Sequence, residues 1–216
     1  MLDNQNMDIV LIGGGGHCKS VIDVIESNPE FRIVGIVDVK EKLGSTLLGF
    51  PVIGTDEDIP CIMKTYRNFH ITVGHILSNT NRIRIYNIIS ELGGVFPVIK
   101  AYDAHISSFA GVGAGTFIGH KAVINAGAQI GLNCIINTGA IIEHDSVIGN
   151  HSHISTVATV NADCEIGEGS FLSSHVVINR GILIPPHAMI YSGSIVTKTF
   201  KESGIALRGI PAQIVL

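Results

Sequence analysis

The stretch ISSFAGVGAGTFIGHKAVINAGAQI, residues 106–130, decides the architecture. Every sixth residue in it is aliphatic: Ile106, Val112, Ile118, Ile124 and Ile130. The step of six continues without a miss through Ile136, Ile142, Ile148, Ile154, Val160, Ile166, Leu172, Ile178, Ile184, Ile190 and Val196. Two residues earlier stands mostly a small side chain, such as Ala104, Ala110, Thr116, Ala122, Ala128, Cys134 and Ala140. One residue later comes Gly or Asn in many steps, as at Gly113, Gly119, Asn125, Gly131 and Asn137. A period of six is neither the helical 3.6 nor simple alternation, and it fits a solenoid of very short strands separated by bends. The aliphatic points inward, and the small residue two earlier shares its face because strand side chains alternate. The Gly and Asn that follow are expected to take the bend. Three sides then close a triangular coil, which stacks Ile118, Ile136, Ile154 and Leu172 in one inner column.

This pattern resembles the hexapeptide-repeat left-handed parallel β-helix. The left hand is implied by that resemblance, since the usual crossover rule gives right-handed connections. Sixteen hexads make about five coils, roughly 25 Å of prism at about 4.8 Å per coil. Cys134 and Cys164 fall at the inward small position and read as core.

The whole chain has 216 residues, 46% hydrophobic and 15% charged, with 25 Gly and no Trp. Mean hydropathy is high at +0.42, yet no apolar run approaches the roughly 18 residues of a membrane helix. The apolar residues are therefore dispersed at a period that buries them, and disorder is excluded. Four widely spread cysteines do not make a disulfide scaffold. A net charge of −4 gives no nucleic-acid footprint. The opening MLDNQNMD has neither a cationic region nor an apolar signal core, so a cytoplasmic location is expected.

The first half reads differently. Residues 8–12 (DIVLI) form a buried parallel strand, Gly13–Gly16 a turn, and His17 to about Asn28 a helix with Val21, Ile22 and Ile25 on one face. Residues 31–37 and 69–74 read as strands, and 80–92 as an amphipathic helix closed by Gly93–Gly94. Alternating strand and helix give a small Rossmann-like α/β domain over residues 1–98, followed by the β-helix and its C-terminal tail over 99–216. The run GGGGH (13–17) lacks the third glycine of a dinucleotide fingerprint, so NAD is disfavoured. A phosphate can still approach such a backbone and the helix N-terminus behind it. Asp38, ending the second strand, is placed to accept from a ribose or base; its plainer role is to cap the turn.

The densest polar cluster is EHDSVIGNHSH, residues 143–153. His144 follows Ile142 by two and sits at a bend, pointing outward between Glu143 and Asp145. A carboxylate beside an imidazole orients the ring and makes it a better base. One coil away on either side stand Ala126 and Ala162, which leave open space around the ring. Asp145 and His153 are read at outward positions too. From spacing alone, a solvated corner histidine remains as good a reading as a catalytic one.

The run IINTGAIIEHDSVIGNHSHIS (135–155), with GGGGH near the start and GIPA at 209–212, resembles the two-domain sugar acetyltransferases of the NeuD/PglD type. These include N-acetyltransferases of UDP-linked 4-amino-4,6-dideoxy sugars and relatives assigned as sialic acid O-acetyltransferases. The resemblance covers essentially the whole chain. It implies His144 as general base with Asp145 as its acid, where the N-acetyltransferases commonly have Glu. It implies further active-site roles for Asn137 and Glu143, and acetyl-CoA contacts from His153, the Ala162 backbone, Ser174 and Ser192. Gly15, Gly16, His17 and Asp38 match the nucleotide-sugar loop. Direct transfer from acetyl-CoA, no metal, no membrane insertion, and a homotrimer with CoA between subunits are implied as well. An O-acetyltransferase uses the same base, so the sequence leaves N- and O-transfer open, along with the nucleotide.

Three other classes fit less well. The γ-type carbonic anhydrases share the solenoid but use a later histidine pair separated by four residues, and no pair within the repeat has that spacing. A non-catalytic nucleotide-sugar scaffold consumes no acetyl-CoA. Acetylation of serine on the same solenoid leaves the first domain unexplained.

Overall fold

The structure, a computed structural model, describes residues 7–28, 30–76 and 78–215. The first domain runs β1 (Met7–Ile12), α1 (Gly16–Ser27), β2 (Phe31–Val37), β3 (Thr46–Leu47), β4 (Phe50–Gly54), α2 (Ile59–Ile62), β5 (Asn68–Ile71) and α3 (Thr80–Glu91). The sheet order is β3-β4-β2-β1-β5, parallel except for β3. The inner strand β1, between β2 and β5, is covered on both faces, which is why it reads as an unbroken apolar run. Ile9 and Leu11 pack with Val21, Ile22 and Ile25 of α1. Val10 and Ile12 pack with Ile85 and Ile89 of α3.

Two local features depart from the sequence expectation. The strand expected over 69–74 leaves the sheet after Ile71. There the Thr72 hydroxyl donates to the Gly13 carbonyl at 2.5 Å, and Arg82 takes the carbonyls of Ile71 and Val73. The β3–β4 hairpin turns on Leu48 and Gly49, both at positive φ (49° and 90°), a two-residue turn that no Asn-Gly or Asp-Gly pair announced.

The second part is a triangular prism. It begins with β6 (Ile99–Lys100) and continues through β7 to β22, two-residue strands from His105–Ile106 to Ile195–Val196. They form three parallel sheets with partners eighteen apart, as in Phe117↔Ile135↔His153↔Phe171. The first face holds those four residues; the second holds Val123, Ile141 and Thr159; the third holds Gln129, Val147 and Glu165. The expected inner column is present, with Ile118, Ile136, Ile154 and Leu172 all at 0% exposure. Inward hydroxyls are satisfied without water: Thr116, Ser146 and Ser152 each donate to a carbonyl of the next coil's corner. Cys134 and Cys164 are buried in this core.

The corners sit two residues later than expected. Positive φ recurs every six residues, three after the inward aliphatic, for instance at Gly127, Asn133, Gly139 and Asp145. The glycines one after the aliphatic serve a different need. A Cβ on Gly149 would stand 2.5 Å from the backbone nitrogen of Glu168 in the next coil. The first domain lies on the first face, where Phe117 and Ile135 join the α1 core. At the far end β23 (Ala206–Gly209) stacks on Met189–Ile190 and pairs with β24 (Ala212–Ile214), placing Leu207 and Ala212 in the prism core.

Candidate active site

Three corner columns edge the prism. The second, between the second and third faces, carries Glu143, His144 and Asp145. Asp145 adopts φ 60°, a left-handed conformation that Asp tolerates better than most side chains. That turn lets its carboxylate meet its own neighbour: His144 Nδ1 and Asp145 Oδ2 lie 2.8 Å apart. An Nδ1–H donating to this carboxylate leaves Nε2 as a lone pair, and Nε2 has no partner among the described residues. His144 is about half exposed, at 50% of its side chain. Glu143 accepts from Asn125 Nδ2 at 2.8 Å, one coil below, which ties its carboxylate along the corner column. One coil above, Ala162 is buried, and its backbone N–H makes no hydrogen bond among the described residues. Asp163 comes within 4.8 Å of His144 and Asp145, but the Arg180 guanidinium holds it at 2.6 and 2.8 Å.

The first face and the first corner carry the other half. His153 is buried, not outward as the repeat alone implies, because the first domain covers the face it stands on. Its Nδ1–H donates to the His75 carbonyl at 2.7 Å, and Nε2 faces Asn137 Nδ2 at 3.4 Å. Burial pushes the His153 imidazole down to about 4, so it stays neutral and Nε2 is an acceptor. Ser174 lies 3.4 Å from Ser155, and Ser192 hydrogen-bonds Ser173 at 2.7 Å. Both line the first corner above Asn137.

The glycine loop completes this half. Gly13 takes φ 104° and passes so near Val73 that a Cβ would stand 2.7 Å from its Cγ2. Gly14 N–H donates to Asp38 Oδ2 at 2.9 Å, and Lys42 Nζ reaches the same oxygen at 2.7 Å. Burial opposes ionisation of Asp38, but the hydrogen bonds from Lys42, Val39 and Gly14 outweigh it and hold its carboxyl below the usual range. Gly15 and Gly16 are exposed and open the N-terminus of α1, whose first turn has no acidic residue. His17 turns inward, edge-on to Phe117 at 5.0 Å between centroids, and burial holds it well below its ordinary pKa. A cleft of about 590 Å³ joins Gly13–Gly16, Lys42 and Ser20 to His75, Asn137 and His153.

So the chain brings Gly15, Gly16, His17, Asp38, Asn137 and His153 to one cleft. It does not bring His144, Asp145 or Ala162 there, because the second corner is the one edge the first face does not touch.

Sequence reasoning missed Arg82. It is 1% exposed, and its guanidinium ties the carbonyls of Ile71 and Val73 to the Asn133 carbonyl of the third corner. Burial lowers it to about 10, which leaves it cationic at neutral pH. A lone Arg on the face of Ile85 and Ile89 gave no signal of this. His120 repeats the His–Asp geometry, with Nδ1 2.7 Å from Asp103, and its Nε2 lies 3.4 Å from the exposed carboxylate of Asp23 on α1. It stands where the prism meets α1, between two carboxylates, rather than at the second corner.

Comparison with known proteins fits this arrangement. The family model of the PglD N-terminal domain matches residues 8–89. A perosamine N-acetyltransferase from Caulobacter crescentus, solved with CoA and GDP-perosamine, superposes with a TM-score of 0.90 at 26% identity, over 96% of each chain. The acetyltransferase domain of PglB from Neisseria gonorrhoeae, solved with acetyl coenzyme A, gives 0.89 at 27% identity over 97% of this chain and 100% of that one. WeeI from Acinetobacter baumannii shares the fold, with 0.74 at 20% identity over 97% of this chain and 100% of that one. No curated protein sequence matches the chain.

Proposed function

We propose that this chain, a sugar acetyltransferase of the PglD/NeuD type, moves acetyl from acetyl-CoA to the amino group of a nucleotide-linked 4-amino-4,6-dideoxy sugar for surface glycan synthesis. One observation carries the chemistry: an imidazole oriented through Nδ1 by Asp145 at 2.8 Å, with Nε2 unengaged and an unpaired backbone donor one coil above. His144 Nε2 removes a proton from the acceptor amine. The nitrogen lone pair attacks the thioester carbonyl, and the oxyanion gains the Ala162 N–H. As the C–S bond breaks, the imidazolium returns its proton to the departing CoA sulfur. No enzyme nucleophile is needed. Burial pushes the Cys134 thiol up to about 11, and Cys18 likewise, which suits a core role.

The split between corner and cleft supports assembly. A nucleotide sugar laid from the glycine loop towards Asn137 and His153 lies at a different edge of the prism from His144 of its own chain. A three-fold homotrimer sets the second corner of one chain against the first corner of the next, with CoA in the groove between them. The relatives solved with CoA, acetyl-CoA and GDP-perosamine support the substrate classes.

The test is thiol release from acetyl-CoA against a panel of nucleotide-linked 4-amino sugars, CMP-sialic acid and free sialic acid. Release with a nucleotide-linked amino sugar is expected. Release only with the sialic acids would replace N- by O-transfer, and release with none would leave a scaffold.

A further inference from the structure

Arg82 is a buried cation with no carboxylate partner among the described residues. What it holds instead is backbone. Nη1 donates to the carbonyls of Ile71 and Val73 at 2.5 and 2.9 Å, and Nε and Nη2 both donate to the Asn133 carbonyl, at 3.3 and 3.2 Å. Between the two loop carbonyls, Thr72 gives its N–H to the Ile12 carbonyl and its hydroxyl to that of Gly13. The segment leaving β5 is therefore gripped on one side by the glycine loop and on the other, through Arg82, by the prism. Gly74, His75 and Ile76 follow at once and line the cleft. The His75 carbonyl accepts from His153 Nδ1, which leaves Nε2 towards Asn137. Burial above all, with the Arg82 charge adding to it, keeps the His153 ring neutral. A neutral ring carries one proton, and the partner of Nδ1 decides which nitrogen holds it.

We propose, resting on the acetyltransferase reading above, that Arg82 is a positioning residue for that reaction. By tying the Ile71 and Val73 carbonyls to Asn133 it holds the His75 carbonyl in place. That carbonyl keeps the His153 proton on Nδ1, so that Nε2 meets the cleft as an acceptor. Release of the loop would let the proton move to Nε2 and turn the acceptor into a donor. Stability alone does not account for the residue. A buried charge without a counter-charge is costly to desolvate, and an apolar side chain of similar volume would hold α3 on the sheet without that cost. The planar fork of a guanidinium reaches carbonyls on two elements at once, whereas a Lys ammonium is a compact point charge on a flexible stem.

Nitrogen NMR of the full chain labelled in its histidines, together with steady-state kinetics, tests the proposal; His153→Ala assigns the signal. Wild type should show His153 as the Nδ1–H tautomer. Arg82→Lys keeps the charge but not the fork. It should fold, shift His153 towards the Nε2–H form, and raise KM for acetyl-CoA about tenfold with kcat changed less than about threefold. Added to His153→Ala, it should raise KM little further, because both act through one ring. A His153 Nε2–H tautomer in wild type, an unchanged tautomer in Arg82→Lys, or a KM rise that adds fully to that of His153→Ala would overturn the proposal. Failure of Arg82→Lys to fold would overturn it too, since the residue would then serve the fold itself. If wild type turns over no acceptor, the acetyltransferase reading fails, while the tautomer measurement still decides whether Arg82 positions His153.

Discussion

Gly127 lies one coil below Asp145, and a Cβ on Gly127 would overlap the carboxylate that holds His144 Nδ1. Room for the orienting acid is therefore set by a residue that touches no substrate. Gly127→Ala should displace that carboxylate and lower kcat about 10- to 100-fold, the usual cost of a misplaced catalytic group. Its φ of 78° adds about 1 kcal/mol of strain. Combined with Asp145→Asn the losses should not add, because both act through one contact. Steady-state kinetics of the two single variants and the double variant decide it.

His153→Ala has a different signature. The ring is 8% exposed, and it satisfies the His75 carbonyl and faces Asn137. Its loss should cost about 2–3 kcal/mol of stability and raise KM for acetyl-CoA more than it lowers kcat. A denaturant midpoint unchanged from wild type would contradict the buried role.

Stability should fall with acid. Burial lowers His70 to about 3 and His75 and His153 to about 4. Below the unfolded value near 6.5 the unfolded chain binds protons that the folded chain refuses. Stability is then complete above about pH 6.5 and lost progressively towards pH 4, on the order of 1–2 kcal/mol per histidine by pH 5. A melting temperature flat from pH 7 to pH 5 would show these rings are accessible.

The repeat was legible because its inward residues obey one period. Ile118 to Leu172 could be stacked by counting alone. The period says which side of a strand faces the prism core; it says nothing of what docks on the outside. His153 occupies the same outer position as Phe117, Ile135 and Phe171, and all four are buried by the first domain. The corner φ angles fall on Lys121, Val157 and His175 as readily as on Gly, so residue type did not mark them. Arg82 acts through backbone carbonyls, which leave no trace in side-chain patterns.

Assembly of each site from two chains has its own test. Gly15→Asp places a negative charge at the α1 N-terminus, where nothing lies within 4 Å of the new Cβ. Alone, it should repel the diphosphate; His144→Ala alone should lack the base. Equal mixing of the two inactive proteins under exchanging conditions should restore about a quarter of wild-type activity, since about one site in four then pairs an intact corner with an intact cleft. No recovery in confirmed mixed oligomers would put both halves in one chain.

The most direct test of the whole account is turnover of His144→Ala with acetyl-CoA and the amino-sugar acceptor. The ring is half exposed at a corner, so the fold and melting temperature should hold. Turnover should fall roughly 10²- to 10⁴-fold, the span of a positioned general base, with KM for acetyl-CoA little changed. Full turnover in a folded His144→Ala protein would contradict the account and leave the corner a solvated histidine beside an acid.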